Sequence, residues 1–332
     1  MGKKIPEQWW SQLKLPAISA PMFLVSGPEL VESVCLNGVI GSFPAPNARP
    51  IELLDQWMGS LNENLALARE KEPERKIAPW AINMVVHSSY SRLQEELELL
   101  KKHQPQLVIT SLGSPKVVVD IVHSYGGLVF SDVSDMKFAR KAAEAGVDGL
   151  ILVSTGAGGH AGNLNGFAFV DSVRTFWDGI IVLAGGISTG KSILAAQAAG
   201  ADLAYMGTRF IVAEESLAND EYRQMLVDST QDDIVLTDAF SGVKANMLIP
   251  SIVKAGLDPA LLKKKDKVEF DSMKNETSAK AWKEIWSAGH GVGAITKISS
   301  AADIISELEV EYNEAVQKLN EQAEKLKSTV IK

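Results

Sequence analysis

The sequence predicts an α/β protein, a closed parallel (β/α)8 barrel of the TIM type with an inserted, mainly helical cap segment. Three observations carry that expectation. Eight short apolar runs alternate with longer amphipathic stretches, the runs are apolar nearly throughout, and glycine-rich polar segments follow several of them. Continuous apolar runs are expected of parallel strands covered on both faces. Eight strand–helix units suit closure, and such barrels carry their chemistry at the C-terminal ends of the strands.

The runs lie at residues 17–20, 39–43, 77–85, 107–111, 128–132, 149–154, 180–184 and 203–207. Between them, residues 91–102 (SRLQEELELLKK), 135–145 (DMKFARKAAEA) and 191–199 read as amphipathic helices. Ser134 is the expected N-cap of the second, and Gly146 and Gly200 stand where a left-handed glycine ends a helix. A doubly wound open sheet would alternate in the same way, but its G-x-G-x-x-G fingerprint is absent near Ala20. After Arg209 the pattern turns polar and irregular. Residues 213–280 are read as a helical cap over the barrel mouth, leaving 1–212 and 281–332 as the barrel with its C-terminal helix. Residues 301–326 return to helix, with Ile304, Ile305, Leu308 and Tyr312 on its apolar face.

Composition narrows the function. Of 332 residues, 46% are hydrophobic and 22% charged, the balance of a soluble globular chain. A net charge of −8 without a dense basic cluster argues against nucleic acid as a partner. Cys35 is the only cysteine, which excludes an intramolecular disulfide and a cysteine-rich zinc site. No histidine–carboxylate spacing suggests a metal. The pattern of a secretory leader and long apolar stretches are both missing, so a soluble, cytoplasmic protein off the membrane is expected.

Residues 181–190, IVLAGGISTG, close the seventh run and open a helix. Gly185 and Gly186 permit close backbone approach, and a helix N-terminus offers the unpaired N–H groups that phosphate favours. Residues 205–210, YMGTRF, follow the eighth run, where Gly207 and Thr208 offer backbone N–H groups and a hydroxyl. Either loop alone could be a tight turn; two on neighbouring strands read as one phosphate site. Residues 154–162, STGAGGHAG, frame His160 in small residues. That histidine is either an acid–base group held close to a ligand or a surface-loop residue bonded to backbone.

Residues 19–26, SAPMFLVS, place Pro21 and Met22 where ladder pairing stops and a flat apolar surface could meet a ring. Read alone, that segment suits a buried turn better. Asn83 is polar amid apolar neighbours, and burying an unpaired amide costs ~1–3 kcal/mol, so it needs a partner. Residues 286–293, WSAGHGVG, form another glycine-rich loop with His290. His87, His103 and His123 lie in helical or polar stretches and are expected to be solvated.

Together these segments resemble the nitronate monooxygenase family, also called 2-nitropropane dioxygenases. SAPM, VDGLILVSTGAGGHAG, AGGISTG, YMGTRF and IWSAGHGVGAI occur in the family's order across most of the chain. The resemblance implies an FMN-dependent oxidoreductase that oxidises alkyl nitronates, or nitroalkanes, with O2. It implies flavin contacts at Asn83 and Gly158, a phosphate end held by Gly186, Tyr205, Met206, Gly207 and Thr208, and His160 as the catalytic histidine. Pro21, Met22 and Gly185 join the cofactor set from the residue-level reading. The Gln-Gly-x-Glu that many relatives carry before AGGH is replaced here by Val153-Ser154-Thr155-Gly156. Residues 240–248, FSGVKANML, resemble the family's cap without a legible role. FMN rather than FAD is expected, because no dinucleotide fingerprint is present. The implied partners are a small nitronate or nitroalkane and O2, and a homodimer is compatible with the sequence. Two other readings stay open: an NAD(P)H-dependent flavin reductase for quinones or enoyl thioesters on the same scaffold, and a non-catalytic barrel that binds a phosphate-bearing ligand.

Overall fold

The computed structural model describes residues 3–240, 242–263 and 284–330. Helix α1 (Glu7–Gln12) precedes β1 (Ala17–Ser19), α2 (Pro28–Leu36), β2 (Gly41–Pro44), α3 (Ile51–Lys71), β3 (Trp80–Val85) and α4 (Leu93–His103). The chain continues through β4 (Leu107–Ser111), α5 (Lys116–Ser124), β5 (Leu128–Val133), α6 (Met136–Glu144) and β6 (Gly149–Val153). A two-residue strand, β7 (Gly159–His160), interrupts the alternation before α7 (Gly166–Arg174), β8 (Ile180–Ala184), α8 (Gly190–Ala198), β9 (Leu203–Met206) and α9 (Thr208–Ile211).

Eight of these strands pair in parallel in the order β1-β9-β8-β6-β5-β4-β3-β2. A parallel bridge between Ile18 and Ile40 joins the two ends. The Ser19 N–H donates to the Ile40 carbonyl at 2.8 Å and the Ile40 N–H to the Ala17 carbonyl at 3.1 Å. The sheet is therefore the (β/α)8 barrel that the eight apolar runs predict. Ile18, Ile40, Leu107, Phe130, Ile151, Val182 and Leu203 fill the interior, and Trp9 of α1 packs with them. Trp9 and Leu13 plug the end where the strands begin, so the opposite end, where they finish, is the mouth. The other strand faces pack outwards; Met84, Val129 and Leu152 join helix residues such as Leu97, Val122 and Phe169 in a second buried layer.

Local chemistry explains the helix ends. Gly146 and Gly200 take φ of +88° and +98° just past α6 and α8. The N-cap of α6 is Asp135, not Ser134: its carboxylate accepts from the Phe138 N–H at 2.8 Å. Aspartate serves this place as well as serine does, and its charge suits the positive end of the helix dipole. The expectation that His103 and His123 are solvated is also corrected. His103 Nε2 lies 2.5 Å from Asp55 and His123 Nε2 lies 2.8 Å from Asp148, carboxylates brought in from distant parts of the chain.

The segment after α9 carries α10 (Asp220–Asp228), β10 (Ile234–Thr237), β11 (Ala245–Leu248) and α11 (Ile249–Lys254). Its helices are thus accompanied by strands, and β10, β11 and β7 form a separate antiparallel sheet. The part of this segment at 264–280, and residues 281–283 after it, lie outside the described residues. The chain ends in α12 (Ala301–Val330), which packs on α8. There Glu311 accepts from the Gly190 N–H at 2.7 Å and the Tyr312 hydroxyl donates to Gln197 at 2.5 Å.

Candidate active site

The mouth is built by loops that follow β1, β6, β8 and β9, locked together by a fifth segment at 286–294. After β1, Asn47 holds the turn containing Pro21 and Met22: its amide donates to the carbonyls of Met22 (2.9 Å) and Ser26 (2.8 Å). Its Oδ1 accepts from Leu24 N–H at 2.9 Å. Leu24 has φ +60°, a strained conformation that persists only where surroundings over-determine it. The turn is half-buried and faces Gly207, where an added Cβ would lie 3.6 Å from the Met22 sulfur.

The glycine loops converge as the sequence suggests. After β8, Gly186 (φ +69°) donates its N–H to the Gly156 carbonyl at 3.1 Å, and a Cβ built on it meets nothing. Gly158 approaches the 286–294 segment so closely that a Cβ there would sit 2.8 Å from the Gly289 nitrogen. Thr208, opening α9, accepts from Gly289 N–H at 2.9 Å through its hydroxyl. His290 N–H reaches the Gly156 carbonyl at 2.9 Å. Gly158, Gly185, Gly186, Gly207 and Thr208 are thereby gathered on one side of the mouth. Met206 is the exception: its side chain is sealed in the outer layer and its carbonyl accepts from Ala20 N–H at 2.9 Å, so only its backbone belongs to the mouth.

His160 lies on β7, opposite Ala245 of β11, and Gly159 lies opposite Asn246. Ala161 N–H donates to the Lys244 carbonyl at 3.1 Å, extending the pairing. Asn246, 2% exposed, donates its amide to the Ala157 carbonyl at 2.7 Å. The stretch at 240–248 therefore has a role invisible in the sequence: it clamps the loop that carries His160. The same strand reaches the 286–294 segment through a bridge from Met247 to Ser287. Tyr222 of α10 stacks on Trp286 at 4.9 Å and donates to the Ser287 carbonyl at 2.5 Å. His160 opens to solvent at the mouth, yet desolvation by the protein packed around its imidazole holds its pKa below the ordinary value. Desolvation thus favours the neutral imidazole, the form able to accept a proton.

Across the barrel, Asn83 is buried and its amide reaches the Ile109 carbonyl (3.4 Å) and the Ser111 hydroxyl (3.3 Å), long contacts that satisfy it weakly. Tyr205 turns its ring into the barrel interior, where its hydroxyl is buried with no hydrogen-bond partner. Sequence reasoning missed Asp132, near the end of β5. Its Oδ1 is sealed from solvent and also without a partner, and burial pushes its pKa up to about 7. The signal was present: Asp132 is a polar residue in the apolar run LVFSDV, as Asn83 is in its own. Among the described residues no cluster of histidine, cysteine and carboxylate side chains could hold a metal, and no helix is long and apolar enough to cross a membrane.

Comparison with known proteins agrees with the fold and supplies the family. The chain is 26% identical to a nitronate monooxygenase of Paraburkholderia phytofirmans, with 92% of this chain and 94% of that protein aligned. It is 26% identical to one from Neurospora crassa, over 94% and 93% of the two chains. The fold matches a structure of nitroalkane oxidase from Streptomyces ansochromogenes with a TM-score of 0.77 at 24% identity, covering 93% of this chain and 98% of that one. The family model for nitronate monooxygenase matches residues 8–311. The chain belongs to the nitronate monooxygenase family of oxidoreductases.

Proposed function

We propose that the protein binds FMN at the barrel mouth and oxidises alkyl nitronates with O2 to carbonyl compounds and nitrite, and accepts neutral nitroalkanes by first removing their α-proton. The observation that carries this reading is the placement of His160 on β7, paired with β11 and following the glycine-rich loop after β6, where desolvation favours its neutral form. The residues present fit the cofactor. Gly186 leaves open space and Gly207 only ordinary contacts where phosphate could meet backbone, and Asp132 and Tyr205 offer buried polar atoms that a ligand's polar edge would satisfy.

In this account Gly185, Gly186, Gly207 and Thr208 hold the phosphate end, while Pro21, Met22, Asn83 and Gly158 border the ring. FMN supplies the electron chemistry when bound, and the protein supplies position and electrostatics. Neutral His160 takes the α-proton of a nitroalkane; the resulting imidazolium then stabilises the negative charge of the nitronate. The clamp from β11 fixes the backbone that carries the imidazole, which limits the freedom left to lose at the transition state.

The test is oxygen uptake and nitrite release by the purified protein with a preformed alkyl nitronate, run beside NAD(P)H oxidation with a quinone, with heat-released flavin identified by chromatography. Nitronate-dependent oxygen uptake, matching nitrite and released FMN are expected. Rapid NAD(P)H oxidation without nitronate-dependent uptake would replace this reading with a reductase.

A further inference from the structure

Two polar side chains inside the barrel mouth take no part in the proton transfer above. Asp132 comes from β5 and Tyr205 from β9, on different arcs of the barrel. Leu128 and Phe130 of β5 and Leu203 of β9 line the interior, and strand alternation puts Asp132 and Tyr205 on that same inner face, nearer the mouth. Each has a buried oxygen without a hydrogen-bond partner. Leaving such an atom unsatisfied costs ~1–3 kcal/mol, and two together inside one mouth point to a ligand that satisfies both.

Their protonation follows from their surroundings. Burial lifts Asp132 to about 7, so near neutral pH it is present to a large extent as the neutral acid, able to donate. Burial first, and the Asp132 charge second, hold Tyr205 well above its ordinary value, so it remains a phenol. Strands β4 and β6 flank β5, and near the mouth they present Ser111 and Val153, neither of which titrates. Tyr205 is thus the titratable group facing Asp132 from β9, and His160 follows β6 in the loop beyond.

We propose that the Asp132 carboxyl and the Tyr205 hydroxyl together hydrogen-bond the polar, carbonyl- and imide-bearing edge of the FMN ring system. The inference rests on the FMN reading above and deepens it by assigning which groups hold the ring. Proton binding to Asp132 and FMN binding are then linked: the cofactor prefers the protonated carboxyl, so affinity falls as rising pH ionises Asp132. Asparagine has the same shape, can donate and cannot ionise, so it should abolish the linkage.

The experiment is equilibrium dialysis of the holoprotein from pH 7 to 9, a range in which the FMN phosphate is already a dianion, with wild type beside Asp132→Asn and Tyr205→Phe. For wild type the FMN dissociation constant should rise at least about ten-fold across the range, since one linked proton permits up to about ten-fold per pH unit. Asp132→Asn should bind FMN with little pH dependence. Tyr205→Phe should bind it more weakly at every pH while keeping the slope. A wild-type slope that persists in Asp132→Asn would overturn the inference and leave FMN binding intact. Failure of the wild type to bind FMN at any pH would remove both readings. A second measurement needs no variant: the infrared carbonyl band of a protonated aspartic acid, followed by isotope editing at pH 8. It should be stronger with FMN bound than after FMN is dialysed away, and a band indifferent to FMN would also refute the assignment.

Discussion

Asn83 and Asp132 carry the same mark in the sequence, a polar residue inside an apolar strand, and the barrel sends both to its mouth. Residue type and neighbours were enough to single out Asn83; they could not show that Asp132 shares the interior face with Tyr205, because that depends on barrel closure. Gly207 is a sharper test of the phosphate assignment at this scale. An added Cβ would meet Met22 and Ala20 at 3.6–3.7 Å, ordinary contact, and the backbone has a negative φ, so Gly207→Ala should fold and retain FMN. Gly207→Asp adds a charge at the same place. Two like charges about 4 Å apart repel by up to about 4 kcal/mol in a partly screened site. Flavin retained after dialysis should reveal at least a ten-fold loss of affinity for Asp and little change for Ala. Equal retention by both would place the phosphate elsewhere.

At the scale of elements, the eight barrel strands were legible because each is a continuous apolar run, and the observed strands differ from the expected runs mainly at their ends. Strand β7 was not legible. It is two residues long, rich in glycine, and exists only because β11, far along the chain, pairs with it. The strands of the segment after α9 were hidden for a related reason: β10 is only partly buried, and its short run reads no differently from an irregular segment. This pairing makes Asn246 a positioning residue. Asn246→Ala leaves the Ala157 carbonyl unpaired and loosens the loop before His160. Turnover of a nitroalkane should fall about ten-fold with FMN content unchanged, since misplacing a catalytic group by a fraction of an ångström is costly. Unaltered turnover would show that the β7–β11 backbone pairing alone sets the histidine.

Over the whole molecule, one barrel supplies a rigid frame, and chain segments distant in sequence complete its mouth. The glycine loops after β6, β8 and β9 meet through the 286–294 segment, and β11 ties both that segment and His160 to the frame. The motifs were readable because each needs particular small residues; their mutual packing was not, because only the closed barrel brings them within reach. The central claim is that this assembly presents a neutral histidine that removes a proton. The most direct measurement is kcat/KM for a nitroalkane and for its preformed nitronate, in wild type and His160→Asn, with flavin content checked. The nitroalkane needs the base, so its kcat/KM should fall by ~10²–10⁴-fold. The nitronate has already lost that proton and should lose much less, only the electrostatic stabilisation. An equal, small effect on both substrates would contradict the account and leave His160 as a loop residue.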